Sequence, residues 1–337
     1  MPQQENCVWV HKTSPLTLRK DMRKVLETAD FRRLDPGSET LIKLNANFDR
    51  FWPGCNTSPW FLDALLGALR EAGFERIRAI EGDLKFQPAS STISAIGFDR
   101  ILAKHRVPFL PLEKVPRSGE LPCILDNSQL ISTPVLHTHT FAVISVASKN
   151  LYGLLPVYRE CYHSTLTEKL LELATRIGVF SIVDGTVGLE GGSMRMGMPV
   201  RTNVLISGWN PLAIDSVSAK IMGIDEDDVP LLDSARKNGL LPLALVMGDY
   251  NDDNLPRFTF HYSIPALARI DLWLRRNAVT KSLFGYNSRF DKAANIYRRK
   301  YTKWVCDRKT EMVSRGDWCE YLRYWSQDNE NPNNPGY

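Results

Sequence analysis

The stretch from residue 40 to residue 83 constrains the fold more than any other part of the chain. It reads "TLIKLNANFD", then the turn-rich "WPGCNTSP", then "PWFLDALLGALREAG", and last "FERIRAIEGD". The first and last runs are short, apolar and bounded by loop formers, which is how strands read. Between them lie apolar residues at helical spacing, with Thr57 or Ser58 as a cap, Pro59 at the start and Gly73 as a stop. Strand, helix and strand in immediate succession form a βαβ unit, and its crossover helix forces the two strands to run parallel.

The alternation continues downstream. "SAIGFDRILAKHR" predicts a helix, "VPFLPLE" a strand, "PCILDNSQLISTPVLHT" further β-rich runs and "TEKLLELATRIG" a helix. "VFSIVDG" reads as a buried strand ending at Asp184, "TNVLISGWN" as another, and "NPLAIDSVSAKIMGI" as a helix capped by Asn210. The expected class is α/β: a mostly parallel twisted sheet, or sheets, flanked by helices, with a C-terminal helical extension. A body over residues 1–255 reads as one domain or two lobes, with a helical extension over 256–325 and a disordered tail over 326–337. Within the extension, residues 257–323 carry 15 Lys and Arg against 6 Asp and Glu, interleaved with aromatics. Such helices lie on an anionic membrane, grip another partner, or pack their aromatics inward with the basic face in water. Peripheral membrane contact through 262–310 is one expectation.

Composition narrows the function classes. The net charge of +4 is too small to imply nucleic acid, and no apolar run is long enough to cross a membrane. The first residues, "MPQQENCVWVHKTSP", show no apolar leader core, so the expected compartment is the cytoplasm. The six cysteines contain no C-x-x-C spacing. Reduced thiols are therefore expected, without a structural zinc site or a ferredoxin-type iron–sulfur cluster in this chain. The oligomeric state is not legible.

In open parallel sheets ligands collect at the carboxyl ends of the strands. Lys43 and Asn45 end one predicted strand, Glu81 and Asp83 the next, and Asp184 a third. His137 and His139, two apart, face the same side of an extended strand. With His163 they form a candidate set for a divalent transition metal; otherwise they are hydrogen-bonding histidines at a strand end. Lys149 follows the apolar run "FAVISVAS". An amine drawn into apolar surroundings serves as base or nucleophile, or stays charged and holds a carboxylate or phosphate. Asn150, Tyr152 and Arg159 lie close by in sequence. The glycine-rich "DGTVGLEGGSMRMGMP" permits close approach of a ligand and offers Glu190 and Arg195, but lacks the dinucleotide and P-loop spacings. Asp215 opens its own helix, where it serves the helix dipole or the site. No G-x-S-x-G elbow is present.

Taken together, "LIKLNANFD…PGCNTSPWFLDALLGALREAGFERIRAIEGD", "SVASKNLYGLLP…R…YH", "SIVDGTVGLEGG…MGMP" and "NPLAIDSVSAKIMGID" resemble the DUF362 family over roughly residues 40–245. Many members carry a cysteine-rich ferredoxin module, which this chain lacks. Where the family often has a lysine two before a histidine, this chain has His137, which favours metal binding. A more distant likeness is to nickel-pincer lactate racemases, with Lys149, Pro156 and His163 in similar order. That likeness would imply a cofactor anchored by the lysine.

The leading expectation is an enzyme acting on a small anionic carboxylate or phosphate metabolite, by racemisation, elimination or a step in building a specialised metabolite. Lys149 and His163 would transfer protons, with Asp184 or Glu190 setting the protonation of a neighbouring base. Lys43 and Arg159 would hold the anion, and Asn45, Asn150 and Tyr152 would orient it. One alternative is a redox enzyme with a metal on His137, His139 and His163 and an external electron donor. The other is a non-catalytic ligand-binding or membrane-peripheral scaffold.

Overall fold

A computed structural model describes residues 6–84, 87–157, 162, 165–191, 197–261 and 289–328. The chain opens with β1 (Cys7–Lys12) and the amphipathic α1 (Leu18–Glu27), whose Leu18, Met22, Val25 and Leu26 are buried at helical spacing. The βαβ unit follows as β2 (Thr40–Lys43), α2 (Pro59–Glu71) and β3 (Ile77–Glu81), its strands parallel and in register from Thr40–Ile77 to Lys43–Ile80. Gly73 ends α2 at φ +87°, a conformation glycine enters without a Cβ penalty.

After α3 (Ala89–Ala95) and α4 (Phe98–Lys104) the chain adds β4 (Phe109–Pro111) and a small ladder of β5 (Arg117–Ser118) with β6 (Leu121–Pro122). Next come β7 (Gln129–Ser132), β8 (Val135–His139), β9 (Val143–Ser145), α5 (Ala147–Leu151) and α6 (Leu166–Arg176). The 11-residue strands β10 (Phe180–Glu190) and β11 (Met198–Gly208) pair along their length. They lead to α7 (Pro211–Ile221), α8 (Pro230–Lys237) and β12 (Leu245–Gly248), and the C-terminal part contributes α9 (Arg289–Ser314) and α10 (Cys319–Asp328). Asn210 caps α7 as its sequence predicts, accepting the N–H of Leu212 and Ala213.

One sheet runs β12-β1-β11-β10-β7-β2-β3-β4, with β8 continuing beside β10 and β9 beside β8. Along the main path only β11 is reversed, antiparallel to both β1 and β10. Successive strand residues point to opposite faces, so alternate positions separate two cores. Leu41, Ile80, Val183 and Ile206 face α5 to α8, whereas Ile42, Ala79, Ile182 and Leu205 face α1, α2 and α4. The architecture is therefore a mostly parallel sheet between two helical layers.

The C-terminal helices join the second layer. Cys306 and Val313 of α9, with Trp318 and Tyr321, are buried in the same core as α2. Trp60, in the first turn of α2, stacks on Trp318 at 6.3 Å and on Tyr321 at 5.5 Å between ring centroids. α10 runs to Asp328, and of the stretch 326–337 read from sequence as a tail, residues 329–337 lie outside the described residues. Among the described residues no helix is long and apolar enough to cross a membrane.

Candidate functional site

The most sheltered amine at the sheet's rim is Lys43, at the carboxyl end of β2 and 1 % exposed. Its Nζ donates to Glu81 Oε1 at 2.5 Å and to the Leu44 carbonyl at 2.7 Å. Glu81, ending the adjacent β3 and fully buried, also accepts the N–H of Gly82 and, through Oε2, that of Ala46. A buried ion pair is stabilised when further hydrogen bonds surround it, and here the Leu44 carbonyl and the Gly82 and Ala46 N–H groups supply them. Gly153 forms the cover: an added Cβ would lie 2.7 Å from Lys43 Nζ and 3.1 Å from Glu81 Oε1. The Lys43 charge, expected from sequence to hold an anion, is thus already matched from within.

The lysine-asparagine motif sits on α5, which is only one turn and a half long. So short a helix does not hold itself. Asp215, projecting from α7, accepts the N–H of Ala147 at 2.7 Å and of Ser148 at 3.2 Å, and so caps α5 from outside. Burial raises the Asp215 carboxyl to about 6, against the opposing effect of these hydrogen bonds. Asn150 donates to Ser132 Oγ at 2.9 Å and to the Lys43 carbonyl at 3.4 Å, tying α5 to the ends of β7 and β2. Lys149 is half-buried, its Nζ 4.3 Å from the centroid of the Tyr152 ring, a cation–π contact with a buried aromatic.

Beside it, His137 is 1 % exposed. Its Nδ1 lies 3.0 Å from the Thr138 carbonyl, which can only accept, so Nδ1 carries the proton and Nε2 is the basic nitrogen. Burial pushes this imidazole down to about 4, and the Lys149 charge pushes it the same way. His139 has the opposite arrangement: its Nδ1 accepts the N–H of Phe141 and Ala142, which leaves the ring proton on Nε2. The two histidines of the H-x-H therefore do not offer a matched pair of lone pairs. Among the described residues no three His, Cys, Asp or Glu side chains gather as a metal site. His163 and Arg159, and with them the third member of the Lys149–Pro156–His163 order, lie outside the described residues, as does Arg195.

Asp184 is fully buried one strand away. Its Oδ2 accepts the Ser58 N–H at 2.7 Å, and its Oδ1 accepts the Thr186 N–H and hydroxyl. Burial raises its carboxyl above the ordinary value, against those hydrogen bonds. Ser58 holds the N-cap position of α2, yet its hydroxyl makes no capping bond; Asp184 reaches that end of the helix instead. The Thr186 hydroxyl in turn accepts from Trp60 Nε1 at 2.9 Å. Asn45 is held by Thr57, whose hydroxyl accepts the Asn45 N–H and donates to the Thr133 carbonyl, while Asn47 donates to Asn45 Oδ1. Asn56 fixes the same loop by accepting from the N–H of Asn47 and Phe48. Glu190 points elsewhere, accepting the His261 N–H at 2.8 Å.

Lys43, Asn45, His137, Lys149, Asn150 and Tyr152 thus come together at the carboxyl ends of β2, β7 and β8, with Asp184 behind them across Ser58 and Thr57. Sequence reasoning missed Asp215 as the cap of α5 and Gly153 as the cover of the ion pair. The glycine of the motif was the available signal for the second.

A family model described as a domain of unknown function, DUF362, matches residues 40–220. A thylakoid-associated protein of Synechocystis sp. is 26 % identical over 158 residues, which cover 44 % of this chain and 46 % of that protein. The chain thus spans less than half the length of that relative.

Proposed function

This chain belongs to the DUF362 family, and we propose that it is an enzyme that transfers protons on a small carboxylate or phosphate metabolite. The observation that carries the reading is His137: a buried imidazole with one tautomer set by the backbone, near enough to the half-buried Lys149 for that charge to act on it. In this reading the Lys149 ammonium pairs with the anion of the substrate. Neutralising Lys149 removes one of the two influences that hold the imidazole neutral, so the base strengthens when substrate arrives. Nε2 then takes a substrate proton, and the resulting imidazolium keeps its Nδ1–H on the Thr138 carbonyl. Returning that proton to the opposite face completes a racemisation and to another carbon an isomerisation; in an elimination the bond to a β-hydroxyl or β-phosphate breaks instead, and the proton goes to that departing group. His163 is the further base in this proposal. The same reading sets the reaction in a reducing cytoplasm.

The test needs no known substrate. A panel of small 2-hydroxy, 2-amino and phosphorylated acids is incubated with the protein in deuterated water, and carbon-bound deuterium is followed by NMR. His137→Gln is expected to slow exchange by roughly 10²–10⁴-fold, and Lys149→Met to weaken apparent substrate binding. A folded His137→Gln protein that exchanges as fast as the wild type discards the assignment.

A second reading concerns where the chain sits. Its relative is thylakoid-associated, which supports a peripheral place on a membrane for this chain as well.

A further inference from the structure

We infer that the outward face of α9 is a docking surface for an anionic lipid bilayer. The inference rests on the membrane-peripheral reading and is independent of the acid–base chemistry. α9 spans 26 residues. Its inner edge is fixed by Cys306 and Val313, which are 1 % and 5 % exposed. Ile296, Lys300, Lys303, Trp304 and Arg308 recur at i, i+4, i+7, i+8 and i+12, so they form one stripe that runs outward from that inner edge, and all five are exposed.

The content of that stripe is unusual for a face turned to water. Ile296 is 60 % and Trp304 50 % exposed, and Tyr301 beside them is 43 % exposed. The Tyr301 and Trp304 rings stack at 5.9 Å, and the Arg308 guanidinium lies 4.3 Å over the Trp304 ring. The acidic residues that share the stripe are matched elsewhere: Asp307 pairs with Arg50 at 3.0 Å and Glu311 with Arg315 at 2.7 Å. Among the described residues no carboxylate pairs with Lys300, Lys303 or Arg308. A row of three cations around an exposed aromatic pair suits the headgroup region, where rings with an apolar body and a polar tip settle and phosphate meets the charge. The flanking sequence has the same sign, with the surplus of 9 basic residues over 257–323. A helix that cannot span a bilayer but shows this face lies along its surface.

The full-length chain is floated with vesicles of phosphatidylcholine alone and of phosphatidylcholine mixed with phosphatidylglycerol. Deleting the extension would not serve, because Trp318 and Tyr321 cover Trp60 of the body. The variants are instead Lys300→Ala/Lys303→Ala/Arg308→Ala and Trp304→Ser, exposed positions whose melting temperature should match the wild type. Wild type is expected to bind the anionic vesicles preferentially and to release as salt approaches ~1 M, where screening lengths fall to ~3 Å. Removing the three charges should lower partitioning about fivefold each, on the order of a hundredfold together. If wild type floats with neither vesicle, the membrane reading itself falls. If it floats and the triple variant floats equally well, the membrane reading survives and this face is not the dock. Equal binding to neutral and anionic vesicles overturns the role given to charge.

Discussion

Two buried titratable groups hold the rim together with opposite pH dependence, and separating them tests the charge states assigned to both. His137 is pushed from 6.5 down to about 4 by burial. Across that window the unfolded chain takes up a proton that the folded chain resists, so acid favours unfolding and stability rises with pH. At 1.36 kcal/mol per pH unit, the gap between 6.5 and about 4 amounts to about 3 kcal/mol. Asp215 is pushed the other way, from 3.8 up to about 6. There the folded chain keeps its proton longer than the unfolded one, so stability falls by about 3 kcal/mol as pH rises from 3.8 to about 6. In the wild type the two slopes largely cancel. Urea unfolding midpoints measured at intervals between pH 4 and pH 6.5, for wild type, His137→Gln and Asp215→Asn, separate them. Relative to wild type, His137→Gln should lose stability as pH rises through this range, and Asp215→Asn should gain it. Asp215→Asn also leaves α5 one acceptor short, a penalty that offsets its whole curve without changing the slope. Asp184, raised by burial as well, adds to the Asp215 side and drops out when each variant is subtracted from wild type. If both differences are flat with pH, the two groups are not neutral and charged as described, and the base assigned to the proposed reaction falls with them.

Other perturbations report on neighbouring parts of the site. Lys43→Met strands the fully buried Glu81 and should cost roughly 3–5 kcal/mol by chemical denaturation, with most of it recovered in Lys43→Met/Glu81→Leu. Gly153→Ala places a methyl group 2.7 Å from the Lys43 ammonium and should destabilise by about 1–3 kcal/mol, read as a shifted urea midpoint. Tyr321→Phe removes a 2.8 Å hydrogen bond to Asn203 Oδ1 and should cost about 1 kcal/mol, seen as a lower melting temperature.

The parts of the fold that sequence predicts best are those whose signals are local. β2, α2 and β3 announce themselves through a change of apolar period and through Pro59 and Gly73, and Asn210 caps its own helix two residues on. α5 is illegible because what holds it is Asp215, far along the chain. β1 is an alternating "CVWVHK" whose place between β11 and β12 depends on partners nearly two hundred residues away or more. The site was legible as a rim but not in its internal roles. The apolar run before Lys149 drew attention to that amine, while the fully enclosed amine is Lys43. Its burial depends on a carboxylate one residue beyond its register partner on the next strand and on a missing side chain at residue 153. Period two placed His137 and His139 together, but which ring nitrogen keeps its proton is decided by backbone groups within three residues of each.

The stacking of Trp318 and Tyr321 on Trp60 sets an order in time. A ribosome delivers Trp60 early, with the indole N–H ready for Thr186 but its outer face still wet. That face is dry only after residue 321 has left the tunnel, so a nascent chain carries every strand of the sheet before it can close the ground beneath Asp184. Translation arrested in the final helices should therefore release a protein with the Trp60 face still uncovered and the core behind Asp184 left open.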